Sequence, residues 1–562
     1  MEEGRNQWLL VALFLMLSFC PSTRANVYAT DIQINGSLQA GVVVPGAPVT
    51  ISYILNDTAS HVSVQIYSGT NIAKTFSSSN GAAGTNAGFN AVAWNGTNDH
   101  GAAAAAGVYN VRITAAADGY DTWTNISDDG TNFQVFYPTS ITVNKNTNSP
   151  YYGRVFIGNG YPGPGGATPP GILKCNTDGS PADEGGFSTG GYPWGGGGFA
   201  QPSPWKMDVG SDDRLYVDDW AQNGAANGVV VSFDQLISTN YLNVLRPDNY
   251  PYPEISLSGL AVCGQGTNMQ IFMADYNILY DGGLGLLSWT FDANGVIATN
   301  DTGTVDVALT NDSDLSLSPY AVCVDVKSNI YTIQDVQSDP NLQSALNDTN
   351  SKVLCFPPTP AGGPPDTTSL WNIGQGDPTL VNCYGVAVDT PATFVAVASR
   401  GFGCNTCGDD LHDGALSIFA ATNGDLVTNF TADAEGNTNQ EFFDVAWDNV
   451  GNLYTVYGED GLSQSGWRVY SPPGSNQATT VAIPFIQVYH AITPPRLSQP
   501  AACMGQLNFT LTGQSNVTYI IQQSPDLMNW TPVATNASPT SSQTISVSPP
   551  DSQDFYRAVS SP

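Results

Sequence analysis

Between residues 138 and 495 a three-strand unit recurs six times, and this repetition limits the possible folds more than any other feature. The clearest copy runs Val445-Ala446-Trp447-Asp448, a short turn holding Gly451-Asn452, then Leu453-Tyr454-Thr455-Val456. It returns as Val322-Cys323-Val324-Asp325 with Ile330-Tyr331-Thr332-Ile333, and as Val386-Ala387-Val388-Asp389 with Phe394-Val395-Ala396-Val397. Fainter copies pair Ile141-Thr142-Val143 with Val155-Phe156-Ile157, Met207-Asp208-Val209 with Leu215-Tyr216-Val217, and Val262-Cys263 with Ile271-Phe272-Met273. Each reads as a hairpin: an apolar strand, an Asp or Gly where the turn begins, and a second strand rich in β-branched and aromatic residues. A third strand follows at a steady offset, aligning Gly171–Cys175, Gly228–Ser232, Gly285–Trp289, Ser351–Cys355, Gly414–Ile418 and Gly466–Tyr470 at spacings of 57, 57, 66, 63 and 52 residues. No such unit covers both faces of its own small sheet, so the six must stack around an axis.

These hairpins resemble the NHL-type repeat, and the region of about 350 residues resembles a six-bladed β-propeller. How the ring closes is left open by the residues, since Thr480 to Tyr489 could finish the sixth blade or complete the first. The recurring Asp325, Asp389 and Asp448 fit either a cation in a central channel or, more simply, acceptors for the backbone N–H groups of their own turns. Cys175 and Cys355 stand at equivalent places in units one and four, across the ring, and a disulfide needs Cα atoms within about 7 Å. Cys263 and Cys323 read as equivalent small thiols in neighbouring units, where the fifth and sixth carry Ala387 and Ala446. Cys404 and Cys407 form a single C-x-x-C, expected to be a local disulfide clamping a loop, because a structural zinc site wants a second such pair.

Ahead of the repeat, residues 26–137 alternate apolar and polar side chains, as in Val49-Thr50-Ile51-Ser52-Tyr53-Ile54-Leu55 and Val62-Ser63-Val64-Gln65-Ile66-Tyr67. Val92-Ala93-Trp94, a polar turn through Gly96 and Gly101, and a strand opening Gly107-Val108-Tyr109 resemble the FlgD-type immunoglobulin-like domain of secreted bacterial proteins, over roughly 80 residues. The resemblance implies a spacer or assembly module without catalysis, with Trp94 in a sandwich core. His61 and His100 are isolated and read as solvated. After the repeat, Leu507 to Gly513, Tyr519 to Ser524, Leu527 to Trp530 and Phe555 to Val559 suggest four or five short strands across residues 496–562. That segment resembles a β-sandwich tail module of exported bacterial proteins, with Trp530 expected in its core. Residues 1–25 read as an export signal: Arg5, an apolar run from Trp8 to Phe19 too short for the ~20 residues a bilayer requires, and small residues Thr23 and Ala25 at a cleavage site. The expected fold class is therefore all-β: a six-bladed β-propeller flanked by two β-sandwich, immunoglobulin-like modules.

Composition then narrows function. The formal charge is −32, and charged residues make up only 11% of the chain against about 25% in ordinary globular proteins. No basic face exists to displace counterions from phosphates or to sit on an anionic membrane, so neither nucleic acid nor membrane insertion is expected. Nucleophilic catalysis by Ser or Cys wants a nearby base, and the repeat holds only His412 and His490, in different units. Asp409, Asp410, His412 and Asp413 are the densest group of ligand-type side chains, but they lack the spacing of a Ca²⁺ loop. Tyr192, Trp194, Trp205 and Trp220, around the glycine run 195–198, are candidate ligand-binding aromatics that could stack on a sugar or peptide; otherwise they cover the gap between the first two blades. The favoured reading is a secreted binding or adhesion protein for extracellular glycan or protein ligands, with no cofactor. The alternative is a hydrolase or lyase resembling six-bladed gluconolactonase-like proteins, which hold a divalent cation such as Ca²⁺ with Glu, Asn and Asp at the channel mouth. No such set can be assigned to residues of this chain.

Overall fold

The computed structural model describes residues 26–38, 40–43, 48–128, 130–136, 138–160, 169–194, 203–220, 228–245, 257–275, 286–290, 304–309, 319–334, 352–358, 368–373, 380, 382–401, 414–431, 440–459, 465–488, 495–503, 505–513, 518–536, 542–548 and 554–560. The 1–25 segment, the Cys404/Cys407 pair, the Asp409–Asp413 group, His490 and the glycine run 195–198 lie outside these residues. Apart from two three-residue 3₁₀ turns, every regular element described is a strand.

Residues 138 to 471 supply six four-stranded antiparallel sheets, all but the outer strand of the sixth, and the first three strands of each follow the order anticipated by the repeat. Their innermost strands are Pro138–Val143, Met207–Val209, Leu257–Cys263, Pro319–Val324, Cys383–Val388 and Gln440–Trp447. Each of these neighbours the innermost strand of the next sheet, and the sixth neighbours the first, so the sheets form a closed ring: a β-propeller. The strands are short and buried on both faces, as Val229–Phe233 shows along its whole length, which is why they read as continuous apolar runs. Trp447 and Trp467 are wholly buried in the sixth sheet, and Trp447 Nε1 donates to Ala387 O of the fifth at 3.1 Å.

Ring closure follows neither route left open by the sequence. The outer strand of the sixth sheet is Thr124–Asn125, from ahead of the first sheet, paired through Tyr470↔Asn125 and Ser471↔Thr124. The segment Gly474–Val488, which contains most of Thr480–Tyr489, leaves the propeller and becomes an inner strand of the immunoglobulin-like sheet, beside Gly107–Tyr120. Thr114 and Thr479 hydroxyls meet there at 2.8 Å, and Ala117 N donates to Asn476 Oδ1 at 3.2 Å. Gly119 (φ +79°) is required at this crossing, because a Cβ there would stand 1.2 Å from Gly474 O. The propeller is thus inserted into the immunoglobulin-like fold and not simply strung after it. Asn26 and Tyr28 dock the same fold on the ring: Asn452 Nδ2 donates to Asn26 O at 3.0 Å, and the Tyr28 and Tyr454 hydroxyls lie 3.5 Å apart.

Trp94 is fully buried, its Nε1 donating to Thr97 O at 2.8 Å, while His61 and His100 are exposed. Residues 487–562 belong to a second compact unit with 42–49 and 94–108. Its carboxy-terminal part contains two three-stranded sheets, ordered Arg496–Cys503, Gln506–Thr512, Ser542–Val547 and Thr531–Asn536, Tyr519–Ser524, Phe555–Ser560. Leu511, Tyr519 and Ile521 form its small core. Trp530 is not in that core: it is half-exposed and capped by the Arg557 guanidinium 4.1 Å from the ring centre.

Candidate functional site

A β-bulge recurs near the start of the inner strand in five of the six sheets. The register skips one residue each time, and the skipped residues are Thr139, Ser258, Tyr320, Tyr384 and Phe443. Bulges re-aim side chains and twist the strand. Here they bring rings to the axis: Tyr320 and Tyr384 centroids lie 4.4 Å apart, and Tyr384 meets Phe443 at 6.2 Å. Trp205, two residues before the inner strand of the second sheet, joins them at 6.1 Å from Tyr320 and 5.9 Å from Tyr384. Trp220 completes the group 4.7 Å from Trp205. Arg400 lies over the Tyr384 and Phe443 rings and forks onto both carboxylate oxygens of Glu441 at 2.9 and 3.0 Å. This end of the propeller axis is therefore stoppered by packed rings.

One residue along from the bulge position stand Ser140, Lys206, Gly259, Ala321, Gly385 and Asp444. Four of these are small, and a Cβ at Gly385 would meet Asp444 Cα at 2.7 Å, so the strands crowd the axis. Lys206 and Asp444 fill what remains as a buried ion pair, Nζ to Oδ1 2.8 Å, with Nζ also donating to Phe443 O at 3.0 Å. Ile141 N donates to the other oxygen of Asp444 at 3.1 Å. Burial pushes the Asp444 carboxyl above the usual range, with Lys206 opposing. Asp218, also fully buried, is pushed up much further by burial, and its Oδ2 has no hydrogen-bond partner among the described residues. The axis is blocked by ions that satisfy each other.

Beyond the pair the axis widens into a cavity of about 150 Å³ lined by inner-strand residues of all six sheets. It continues into a bowl of about 650 Å³ formed by the turns after those strands. Lys145, Val209, Val262, Val324 and Val388 line both spaces and mark the neck. The bowl carries amides and hydroxyls, among them Asn146, Asn148, Ser211, Gln265, Thr390 and Asn449. Its carboxylates are committed to their turns. Asp325 accepts from Lys327 N, Asn329 N and the Tyr331 hydroxyl at 2.7, 2.8 and 3.0 Å. Asp389 accepts from Thr393 N and Phe394 N at 2.6 and 2.9 Å. Asp448, next to the bowl residue Asn449 but not itself lining the bowl, does the same for Val450, Gly451 and Asn452 N–H groups at 3.0, 2.8 and 2.8 Å. The turn-starting role expected of the recurring aspartates is what the geometry shows. Among the described residues, no group of three His, Cys, Asp or Glu side chains is placed to hold a metal ion.

The four aromatic candidates do not form one platform. Tyr192 and Trp194 pack together at 4.6 Å against Phe233 and Tyr241, in the core shared by the first two sheets. Tyr192 donates its hydroxyl to Asp219 at 3.1 Å, and Trp194 Nε1 donates to Thr189 O at 2.9 Å. Trp205 and Trp220 belong to the stopper. Tyr192, Trp205 and Trp220 are buried, so the expectation of faces free to stack is corrected: the rings pack on other rings, tilted or edge to face. Cys263 and Cys323 are not equivalent either, because the bulges put Cys323 in line with Ala261 and move Cys263 two positions on, beside the bowl. The neck residue Lys145 was missed by sequence reading, as was the stopper. Yet an aromatic five residues before the turn aspartate, in Tyr320/Asp325, Tyr384/Asp389 and Phe443/Asp448, was a signal for the latter.

A propeller stoppered at one end and hollow at the other, inserted into an immunoglobulin-like fold, is the class these features define. Residues 39–119 match the FlgD Ig-like domain family. No curated protein matches the sequence. Among solved structures, a gluconolactonase-family protein is similar at 12% identity and TM-score 0.34, covering 64% of this chain and 96% of its own. A gluconolactonase from Xanthomonas campestris is similar at 9% and 0.24, covering 66% and 89%. A glycoside hydrolase is similar at 10% and 0.24, covering 95% and 94%. The architecture rests on the sheet pairing and not on these likenesses.

Proposed function

We propose that this chain is an exported binding or adhesion protein whose propeller presents the bowl to an extracellular glycan or protein, with the immunoglobulin-like and tail modules as spacers. One observation carries the reading: among the described residues the axis is stoppered at one end and hollow on the bowl side, where amides and hydroxyls face a cavity of about 650 Å³ and Asp325 and Asp389 are held by their own turns. A hydrolase needs a carboxylate or metal-bound water free to meet substrate. Of the axial carboxylates, Asp444 is neutralised by Lys206, and Asp208 is held by the Val209 and Val262 N–H groups and the Thr142 side chain. The N-terminal apolar run, taken as an export signal, supports an extracellular site of action. The NHL-type reading of the repeat and the tail-module assignment belong to the same proposal.

The test places the full chain on glycan and surface-protein arrays, and separately incubates it with aldonolactones and added Ca²⁺. Binding without turnover is the expected result. Lactone hydrolysis that tracks the protein through purification and disappears in Asp444→Asn would replace the binding reading with the enzymatic one.

A further inference from the structure

We infer that the neck and bowl hold the end of a neutral sugar chain, edge-on, with its hydroxyls bridging Lys145 and Asp208. The assignment rests on the binding reading above and specifies its ligand. Lys145 lines both the axial cavity and the bowl, is half-buried, and has no carboxylate within ion-pairing distance among the described residues. Asp208 lines the cavity below it. Its oxygens accept from Val209 N at 2.9 Å, Val262 N at 2.8 Å and the Thr142 side chain, leaving one of about four lone pairs for a further donor. An ammonium only donates and a carboxylate only accepts, so the group that satisfies both must do each. A hydroxyl does, and neighbouring sugar hydroxyls present several at once.

The surroundings fit the same chemistry. Asn148 and Gln265 line the bowl with amides that donate and accept together, while Asn449 is tied to Lys145 O and the Thr390 hydroxyl. The ligand is neutral because, among the described residues, Lys145 is the one cation lining the bowl, against Asp325 and Asp389, in a chain of net charge −32. Beyond the reach of Lys145, each further uronate would meet that field without a counter-charge. Recognition is edge-on because, among the described residues, no aromatic side chain lines either space to stack on a ring face. The axial cavity of about 150 Å³ corresponds to roughly five waters at ~30 Å³ each, room for the edge of one ring. The valines of the neck meet the C–H groups between hydroxyls.

The probe is an array of neutral and uronate-bearing oligosaccharides, followed by calorimetry with the strongest neutral binder as a series from mono- to hexasaccharide. Neutral sugars should outrank acidic ones, and affinity should stop rising within a few residues. Lys145→Met should weaken binding at least about tenfold, the loss of one charge-assisted hydrogen bond. Ala446→Leu, which fills the cavity from another sheet, should weaken it similarly, with both variants melting close to the parent. Neutral binding indifferent to both substitutions overturns the assignment and leaves the binding reading intact. Preference for uronates overturns it as well. A blank glycan array, with Lys145-dependent capture of a peptide or protein, also overturns it while supporting binding in another class.

Discussion

The two ends of the propeller axis are built from the same six strands and differ in what the register does to them. At one end bulges turn Tyr320, Tyr384 and Phe443 onto Trp205 and close the hole. At the other, the turns that follow the same strands carry short polar side chains, and a bowl remains. Closure is expensive to undo and the bowl is cheap to alter. The difference teaches that close packing and open polar surface are separated along a single axis, and the proposed reading assigns stability to the first and recognition to the second.

The largest effect expected is at the stopper. Trp205→Ala should cost about 3–5 kcal/mol in chemical denaturation, as for other buried large-to-small changes, while leaving the bowl's geometry and binding in place. Loss of binding in a variant that still melts cooperatively would break the separation. Next is the ion pair below it. Lys206→Met strands a buried Asp444 and should cost roughly 3–5 kcal/mol, whereas Lys206→Met with Asp444→Leu should recover most of that. If the double variant is as weak as the single, the pair is not acting as a unit.

A smaller effect belongs to the bowl turns. Burial holds the Asp448 carboxyl at about 6 in the folded chain, above the ~3.9 of a solvated aspartate. The folded state binds this proton more tightly, so the stabilisation is complete below about pH 4 and is lost as pH rises through 6. Burial raises Asp208 and Asp444 in the same direction. Melting temperature should therefore fall from pH 4.5 to pH 7.5, and Asp448→Asn should flatten that slope by at most about 3 kcal/mol. A steeper slope in the variant would contradict the burial argument.

Much of the propeller was legible because its strands are short apolar runs between Gly and Asp, and the third strands fall within a residue of where the repeat puts them. The fourth strands were not, since Phe187–Ser188 and Thr124–Asn125 are two residues long and edge strands need no apolar pattern. The destination of Gly474–Val488 was hidden for another reason: its alternation announces a strand, but partner choice is settled by tertiary packing. A bulge shifts register without changing composition, which is why Cys263 was misaligned with Cys323 and why the rings of the stopper went unrecognised as a set. Lys145 carries no local motif; only the convergence of six sheets makes it a neck residue.

The most direct measurement is a paired rescreen of one glycan array with Thr390→Trp, which fills the bowl from an exposed turn, and Trp220→Phe, which alters the stopper. The account predicts that Thr390→Trp loses the parent's signals at an unchanged melting temperature while Trp220→Phe keeps them. Signals that survive in Thr390→Trp and vanish in Trp220→Phe would place recognition at the stoppered end and contradict it.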